Sequence, residues 1–332
     1  MTQLFSFLLL PGFSAMGFIS AIEPLRVANR FQPDAYRWRL LSRDGQPVTA
    51  SNGMVLNTEP AEEKLAPDEV LFIVAGFEPL AIYDSLLARW LRRLDRDGAT
   101  LGGIDTGSVV LATAGLLDGY RVTVHWEALA AFRESYPRLT VSQELYEIDG
   151  RRITCAGGTA SIDLMLALIS RAHSAELAVR VSEQFVLGRI RSPKEHQRLK
   201  TAQRYGISNR KLAQVLDTME RHTEPPLSTL ELAESIDVTR RQLERLFQQH
   251  LDATPSGFYL ALRLDKARHL LQQSDMSVLA VALACGFESP SYFSRCYRQR
   301  FGVSPRDDRI ARPGELLFPG TTGPAAVPIT VP

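Results

Sequence analysis

Two stretches of the chain, 227–255 and 276–305, repeat the same pattern about 50 residues apart. Each reads as a short capped helix, a tight turn and a second capped amphipathic helix. Each ends in a hydroxyl residue followed by proline, Thr254-Pro255 and Ser304-Pro305, and one extra residue, Glu288, enters the second copy. This layout is typical of a helix-turn-helix unit, whose second helix can enter the major groove of DNA. Two copies predict contact with two grooves.

The starts of the predicted helices carry residues suited to capping. Each helix begins after a hydroxyl side chain that can accept a hydrogen bond from the first turn. These N-caps are Ser228, Thr239, Ser277 and Ser289. Gln242 completes a capping box with Thr239, and Pro290 occupies the first helical position after Ser289. The same local interactions are therefore predicted in both copies.

The second helix of each copy has two distinct faces. Apolar residues recur at helical spacing on one face, at Leu243, Leu246, Phe247 and Leu251 and at Phe293, Cys296, Tyr297 and Phe301. The opposite face and the first N-cap provide the candidate DNA-binding residues Thr239, Arg240, Arg241, Glu244, Arg245, Ser291, Ser294, Arg295 and Arg298. The alternative is an ordinary helical bundle with solvated arginines. The matching caps and exits of two copies favour DNA binding.

Residues 208–310 resemble the AraC family of transcription regulators. The resemblance rests on Gly286-Phe287, on Ser-Tyr-Phe-Ser-Arg at 291–295 and on Phe-Gly-Val-Ser-Pro at 301–305. It also rests on a segment like that family's long connecting helix, with Arg263-Leu264, Ala267 and Leu270-Leu271. The resemblance implies seven helices, two helix-turn-helix units and contact with adjacent major grooves on one face of double-stranded DNA. From 211 to 309 there are 13 Lys/Arg and 13 Asp/Glu, so phosphate binding would depend on local patches.

The first 190 residues have a different texture, in which short apolar runs alternate with helical stretches. Predicted strands cover 5–10, 38–42, 70–75 and 101–105, and predicted helices cover 15–30, 80–97, 106–115 and 160–172. This alternation predicts a doubly wound α/β fold with a mainly parallel sheet covered on both faces. Asp149-Gly150, where the segments 144–149 and 152–156 meet, predicts a two-residue hairpin.

Four parts of the chain follow from these patterns. They are an α/β domain at 1–188, a linker at 189–210, a DNA-binding domain at 211–310 and a tail at 311–332. From 189 to 211 there are eight Lys/Arg and one acidic residue, Glu195. This stretch reads as a solvated surface, with phosphate contact as the alternative. The tail is rich in proline, glycine and small residues, which predicts disorder.

Composition and the cysteines indicate a cytoplasmic protein. The net charge of +1 provides no global attraction to nucleic acid or membrane, and no apolar run approaches the length of a membrane span. The apolar start lacks a cationic segment and is interrupted at Pro11-Gly12, so it predicts a buried first strand and not a signal peptide. Cys155, Cys285 and Cys296 cannot all pair and lack metal-ligand spacing. We expect no metal and no cofactor.

The carboxyl end of the predicted sheet is where an α/β fold places its ligands. There, Gly-Gly-Ile-Asp-Thr-Gly-Ser at 102–108 passes from strand to helix. Such an elbow exposes one residue above the sheet, beside the free amides of a helix N-terminus. In this chain the elbow residue is Asp105. A cap for the helix and a ligand contact are both open interpretations of Asp105.

The segment 105–119, followed by His125-Trp126, resembles the PfpI-like branch of the class I glutamine amidotransferase fold. Pro11-Gly12-Phe13 and Ala-Gly-Gly-Thr-Ala at 156–160 fit the same family. The resemblance covers about residues 3–185. Joined to an AraC-type end, the whole chain resembles the GlxA-like regulators.

One departure from the enzymatic pattern of that family is important. The resemblance implies a cysteine nucleophile where this chain has Asp105, and a glutamate near the position of Gly17. A carboxylate at a helix N-terminus is stabilised as an anion but lacks the nucleophilicity of a thiolate. Cys155 reads as a buried strand residue, and His125 has no cysteine partner at the elbow. We therefore expect no catalytic residues and no enzymatic activity.

A pocket that has no catalytic residues suggests that this domain senses a ligand by binding it. The candidate ligand-binding residues are Phe13, Asp105, Thr106, His125, Trp126 and Glu127. Aromatic faces with carboxylates suit an amine or a quaternary ammonium ion. The resemblance implies a ligand such as carnitine, glycine betaine or arginine. Plain core packing is the alternative for the aromatic residues, and it is the one we expect for Phe77.

Together these observations predict a transcription regulator, an activator that responds to a small-molecule inducer through a population shift. RNA polymerase is a candidate partner, and a homodimer is expected from the family resemblance. One rival hypothesis is an amidase or hydrolase fused to a DNA-binding anchor, which the aspartate at the elbow disfavours. Another is a dimerisation domain that binds no ligand.

Overall fold

The computed structural model describes residues 2–62, 64–199, 201–274 and 276–310. The predicted tail at 311–332 lies outside the described residues. The described chain consists of an N-terminal α/β domain followed by helices that contain the repeated units.

A sheet of seven strands forms the centre of the N-terminal domain. The strands of this domain are β1 (Gln3–Leu9), β2 (Tyr36–Ser42), β3 (Val48–Thr49), β4 (Val55–Leu56), β5 (Glu59–Pro60), β6 (Val70–Val74), β7 (Thr100–Ile104), β8 (Arg121–Val122), β9 (Thr140–Val141), β10 (Tyr146–Asp149) and β11 (Arg152–Cys155). The order across the main sheet is β10-β11-β7-β6-β1-β2-β5. All neighbours are parallel except β10 and β11. The predicted mainly parallel sheet is confirmed.

Helices cover both faces of this sheet. They are α1 (Ala15–Phe31), α2 (Ser85–Arg96), α3 (Gly107–Thr113), α4 (Leu129–Ser135), α5 (Ala160–Ala172) and α6 (Ala175–Glu183). Alternate residues of β1 enter two cores, with Phe7 and Leu9 packed among residues of α1 and α5 and Leu8 among those of α2 and α3. Because both faces are buried, β1 is apolar from Leu4 to Leu9 except at the buried Ser6. The doubly wound fold is thus explained by the apolar strands.

Two predicted boundaries need correction. Helix α2 begins at Ser85 and not at residue 80, because the Asp84 carboxylate accepts hydrogen bonds from the amides of Leu86 and Leu87 and caps the helix there. The β10–β11 hairpin exists, but its loop is Gly150 and Arg151, since Asp149 still pairs with Arg152. Both corrections move a boundary without changing the fold.

The C-terminal part consists of seven helices between residues 210 and 310. They are α8 (Arg210–Arg221), α9 (Thr229–Glu234), α10 (Arg240–Leu251), α11 (Pro255–Gln273), α12 (Val278–Ala284), α13 (Pro290–Phe301) and α14 (Pro305–Ile310). All four predicted N-caps accept a hydrogen bond from a backbone amide of the first turn, and the capping box of Thr239 and Gln242 is complete. One core lies between α8, α9 and α10, and a second between α11, α12 and α13.

The stretch 189–210, which includes the short helix α7 (Thr201–Arg204), contacts the α/β domain through at least two of its described residues. Arg191 pairs with the buried carboxylate of Asp163 at 2.7 Å. The Gln197 side-chain amide donates to the carbonyl of Val124 at 2.9 Å. At least part of this basic stretch therefore faces protein, where a solvated surface was expected.

Helix α4 of the α/β domain packs against helix α11. Ala131 of α4 is buried with Leu264 and Ala267 of α11, and Ala130 packs beside them. The second apolar core of the C-terminal part is therefore completed by a helix of the N-terminal domain.

Candidate functional site

The turn from β7 to α3 forms a strained elbow at Asp105. Its φ of +62° lies in the left-handed region, which costs a residue other than glycine about 1–2 kcal/mol. The Asp105 amide donates to the carbonyl of Cys155 at 3.0 Å. A Cβ atom on Gly157 would lie 2.8 Å from the Asp105 Cβ, so only glycine fits beside the elbow. The backbone therefore holds Asp105 above the sheet.

Burial and neighbouring groups determine the protonation of Asp105. Desolvation raises its pKa from 3.8 to about 6, while His125 and a hydrogen bond from Ser14 favour the ionised form. The Ser14 oxygen also accepts from the Gly17 amide at 3.2 Å as the N-cap of α1. Its hydroxyl proton is therefore available to Asp105. The carboxyl group is ionised at neutral pH and neutral in moderate acid.

A cavity of about 210 Å³ opens above this elbow. It is lined by Ser14, Ser51, Gly76, Phe77, Asp105, Thr106, His125, Glu127 and Ala128. His125 Nδ1 lies 3.9 Å from Glu127 Oε2. None of the described residues that line the cavity is a lysine or an arginine. The cavity thus combines two carboxyl groups, an imidazole and several hydroxyls.

Four of the six candidate ligand-binding residues meet at this cavity, namely Asp105, Thr106, His125 and Glu127. The Thr106 hydroxyl already donates to the Gly76 carbonyl, so it is left as an acceptor for a ligand. Phe77 is also present and is 49% exposed, so the expectation of core packing for this residue was wrong. An exposed aromatic ring beside carboxylates was not predicted from the sequence.

The other two candidates lie elsewhere. Phe13 is completely buried and packs edge-on against Phe18, with ring centroids 6.0 Å apart. The Trp126 ring lies 4.1 Å from the Arg198 guanidinium carbon and 5.4 Å from the His269 ring of α11. Phe13 is therefore a core residue, and Trp126 lies between the two domains. Neither lines the cavity.

Ser14 and Ser51 are cavity residues that the sequence did not identify. Ser14 could have been found, because a serine directly before a predicted helix at 15 is an N-cap that lies near a strand end. Ser51 lies in a turn between two strands of two residues each and carries no comparable signal.

Cys155 is not a nucleophile in this site. It ends β11, is fully buried, and its sulfur lies 3.7 Å from the Ser161 hydroxyl oxygen. Burial raises the pKa of its thiol to about 12, so the thiolate is absent at neutral pH.

A Cβ atom on Gly17 would lie 3.2 Å from Ile104 and 3.5 Å from the Gly158 amide. Helix α1 therefore faces the elbow without contributing a side chain.

The second helix of each repeated unit presents a polar face to solvent. Arg241 and Arg245 of α10 are exposed, and Arg240 pairs with Glu244 at 2.9 Å. On α13, Ser291, Arg295 and Arg298 are exposed, while Ser294 is half-buried. The Arg295 guanidinium carbon lies 5.4 Å from the Tyr292 ring centroid. The apolar stripes predicted on the opposite faces are buried at Leu243, Phe247, Phe293, Cys296 and Tyr297.

Comparison with known proteins agrees with both domains. Residues 6–171 match the DJ-1/PfpI family, and residues 232–310 match a helix-turn-helix domain. The HTH-type transcriptional regulator CdhR of Pseudomonas aeruginosa is 69% identical over 98% of this chain and 96% of its own length. The HTH-type transcriptional regulator GlxA of Rhizobium meliloti is 36% identical over 91% and 94%. The chain belongs to the GlxA-like transcription regulators of the AraC family.

Further relatives of the regulator are consistent with this assignment. The HTH-type transcriptional regulator GbdR of Pseudomonas aeruginosa is 43% identical over 94% of this chain and 85% of its own. The crystal structure of an AraC family transcriptional regulator from Pseudomonas putida superposes with a TM-score of 0.50 and 28% identity, over 55% of this chain and 99% of that one. These relatives are named as regulators and not as enzymes. Among the described residues, no helix is long and apolar enough to cross a membrane.

Proposed function

We propose that the regulator binds a small organic cation in the cavity above Asp105. The two carboxyl groups of Asp105 and Glu127 provide negative charge, and the exposed Phe77 ring provides a face for cation–π contact. At about 210 Å³ the cavity is smaller than the roughly 300–1,000 Å³ of typical ligand sites. An amine, a quaternary ammonium ion or a small amino acid fits this volume. Carnitine, glycine betaine and arginine are the first candidates.

The ligand is bound and not converted. The observation that carries this proposal is the carboxyl group of Asp105 on a strained elbow, where an acyl-transfer enzyme needs a thiolate. The buried Cys155 thiol is protonated and lies below the elbow, on the neighbouring strand. The amidase or hydrolase hypothesis therefore lacks a cysteine thiolate among the described residues of this site.

At the other end of the chain, α10 and α13 enter adjacent major grooves of double-stranded DNA. The bases or phosphates of the DNA are contacted by Arg241, Arg245, Arg295 and Arg298. The sugar-phosphate backbone of the DNA lies near Thr239, Ser291 and Ser294. Arg240 and Glu244 form a pair at the edge of this surface. The regulator acts in the cytoplasm as a homodimer, and ligand binding promotes activation through contact with RNA polymerase.

The cation proposal is tested by comparing glycine betaine with 3,3-dimethylbutanoate, in which carbon replaces the charged nitrogen. Calorimetry on the full chain should detect binding of the betaine and at least about tenfold weaker binding of the analogue, which keeps the carboxylate but lacks the positive charge, a difference of about 1.4 kcal/mol. Carnitine and arginine extend the series. Equal binding of both analogues, or unchanged betaine binding in Asp105→Asn, would overturn the proposal. Asp97→Asn, an exposed carboxylate at the end of α2, is the matched control.

The proposal that no reaction occurs has its own test. The full chain is incubated with amide and ester substrates at micromolar concentration, and products are followed by mass spectrometry. No turnover is expected. Turnover that disappears in Asp105→Ala would establish the enzyme hypothesis instead.

A further inference from the structure

The segment 125–131 has two sides that face different parts of the regulator. His125, Glu127 and Ala128 line the cavity. Trp126 contacts His269 of α11 and Arg198, and Ala131 is buried in the core of the second helix-turn-helix unit. The segment therefore contacts the ligand cavity on one side and α11 on the other. A displacement of the cavity wall would move the interdomain contact directly, because no element lies between them.

The contact on the far side is specific. The Trp126 and His269 rings meet edge-to-face, with an interplanar angle of 73° and centroids 5.4 Å apart. The Arg198 guanidinium carbon lies 4.1 Å from the Trp126 ring centroid. These are the geometries of aromatic and cation–π pairs, which are favourable beyond simple burial. Beside them, Ala131 packs against Leu264 and Ala267.

Glu127 links the two sides electrostatically. Burial lowers the pKa of His269, and the Glu127 carboxylate is the largest influence that opposes this shift. Burial likewise lowers the pKa of Arg198, and Glu127 is among the groups that favour its charged form. Glu127 lines the cavity and directly follows Trp126, over whose ring Arg198 lies, so its negative charge attracts Arg198 alongside the larger attraction from Glu220. A cation in the cavity would compete for the same charge and would repel Arg198.

We propose that segment 125–131 is a ligand-controlled latch: a cation in the cavity engages Glu127 and loosens Trp126 from Arg198 and His269, releasing α11 and the second helix-turn-helix unit from α4. This inference rests on the proposed cation binding. The latched arrangement is the one observed here, and ligand favours the released one. By thermodynamic reciprocity, a change that weakens the latch without altering the cavity must tighten ligand binding.

The test uses Trp126 as a reporter in the full chain. Trp38→Phe and Trp90→Phe remove the other two tryptophans, neither of which lines the cavity or the latch. In this background, Glu127→Gln removes the charge without any ligand. The latch predicts a red-shifted Trp126 emission and hydrogen–deuterium exchange at 264–271 that is faster by about fivefold or more, the lower end of ordinary coupling. Glu134→Gln, an exposed carboxylate on α4, should change neither.

The ligand arm uses tetramethylammonium chloride against sodium chloride at equal concentration. Tetramethylammonium should reproduce the effect of Glu127→Gln in the reporter background and add nothing in the Glu127→Gln variant. Trp126→Ala in the natural background should bind this probe at least about fivefold more tightly. Trp126→Phe, which keeps a ring, should give an intermediate value.

The outcomes separate the latch from the cavity. Unchanged emission and exchange in Glu127→Gln would overturn the latch, whether or not a ligand binds. Weaker probe binding in Trp126→Ala would assign Trp126 to the cavity and would also overturn it. If Glu127→Gln loosens the contact but calorimetry detects no binding of any cation, the proposed cation binding fails, and ligand control of the latch fails with it.

Discussion

The two helix-turn-helix units have nearly the same local sequence pattern, but they pack against different parts of the protein. Both use hydroxyl N-caps, and each second helix buries an aromatic residue completely, Phe247 in α10 and Phe293 in α13. The first unit completes its core with α8, which belongs to the C-terminal part. The second completes its core with Ala131 from the α/β domain. Only the second unit is therefore positioned to respond directly to the cavity.

The surfaces of the two units differ as well. On α10, Arg240 is engaged by Glu244 in an i,i+4 pair, while Arg241 and Arg245 are exposed. On α13, Arg295 lies over Tyr292, which restricts its orientation. The comparison shows that two copies of one sequence motif can have different roles, because different residues pack against each copy. The following predictions test that division, from the largest expected effect to the smallest.

Removal of the two buried rings should break the units differently. Phe247→Ala and Phe293→Ala each leave a cavity in a fully buried site and should cost about 3–5 kcal/mol of local stability. Hydrogen–deuterium exchange should then accelerate in α9 and α10 for the first variant, and in α12, α13 and α4 for the second. Equal loss of protection in α4 for both variants would remove the distinction between the units.

Loss of a groove arginine should relax base preference at one position. Arg245→Ala and Arg295→Ala should each lose about 1–3 kcal/mol of discrimination at one base pair. Binding-site selection should place the two relaxed positions roughly 10 base pairs apart. Arg240→Ala should instead lower affinity for all sequences and flatten the salt dependence. Unchanged base preference in both variants would mean that these arginines hold phosphates only.

Ligand binding should weaken in moderate acid. The raised pKa of Asp105, about 6, means that its carboxyl group loses its charge below that pH. Affinity for glycine betaine should therefore fall by about tenfold between pH 7.5 and pH 5, since a charged partner is lost. The ligand-induced change in hydrogen–deuterium exchange in α13 should be lost together with this affinity, while exchange in α10 stays unchanged. A pH-independent affinity would contradict this assignment of Asp105.

Asp105 should also make stability depend on pH with a defined sign. Because folding raises its pKa from 3.8 to about 6, the ionised form opposes folding. The neutral carboxyl group of Asp105 therefore adds to the free energy of unfolding. That addition is fully present below pH 3.8 and is lost as the pH rises through about 6. Asp105→Asn should lack that decline, so its stability relative to the natural protein should be greater at pH 7.5 than at pH 4.5. Denaturant titrations at both pH values provide the measurement.

The caps should show the smallest effects and the closest agreement between units. Thr239→Ala and Ser289→Ala should each cost about 1 kcal/mol of helix stability. The cost should be larger for Thr239, because its capping box with Gln242 is broken, whereas Pro290 still favours the helical start after position 289. Exchange of the first-turn amides in α10 and α13 measures this. A larger effect at Ser289 would contradict this difference.

Much of the fold could be predicted because its signals are local. The mainly apolar sequence of β1, the helix cap at Ser289 and the elbow at Asp105 each depend on residues close together in the chain. The start of α2 was misplaced because Leu80 and Ile82 in the preceding turn resemble the helical pattern, and the capping carboxylate of Asp84 decides the boundary.

The candidate site was predictable only in part. Asp105, His125 and Glu127 could be grouped because the first begins one family-like segment and the other two follow it closely. The sequence could not show that Phe77 lines the cavity while Phe13 lies in the core, since both are phenylalanines after short apolar runs. Burial depends on what packs over each ring: Phe18 covers Phe13, while Phe77 remains open to the cavity.

The sequence by itself determined the two helix-turn-helix units, the doubly wound sheet and a carboxyl group where a thiolate would be needed for catalysis. Periodicity, capping and residue identity act over short distances along the chain, so they can be read directly. Only the tertiary structure decided that Trp126 faces His269 and Arg198 and that Ala131 completes the core of the second unit. Those contacts join residues far apart in the chain, and they depend on how two domains pack.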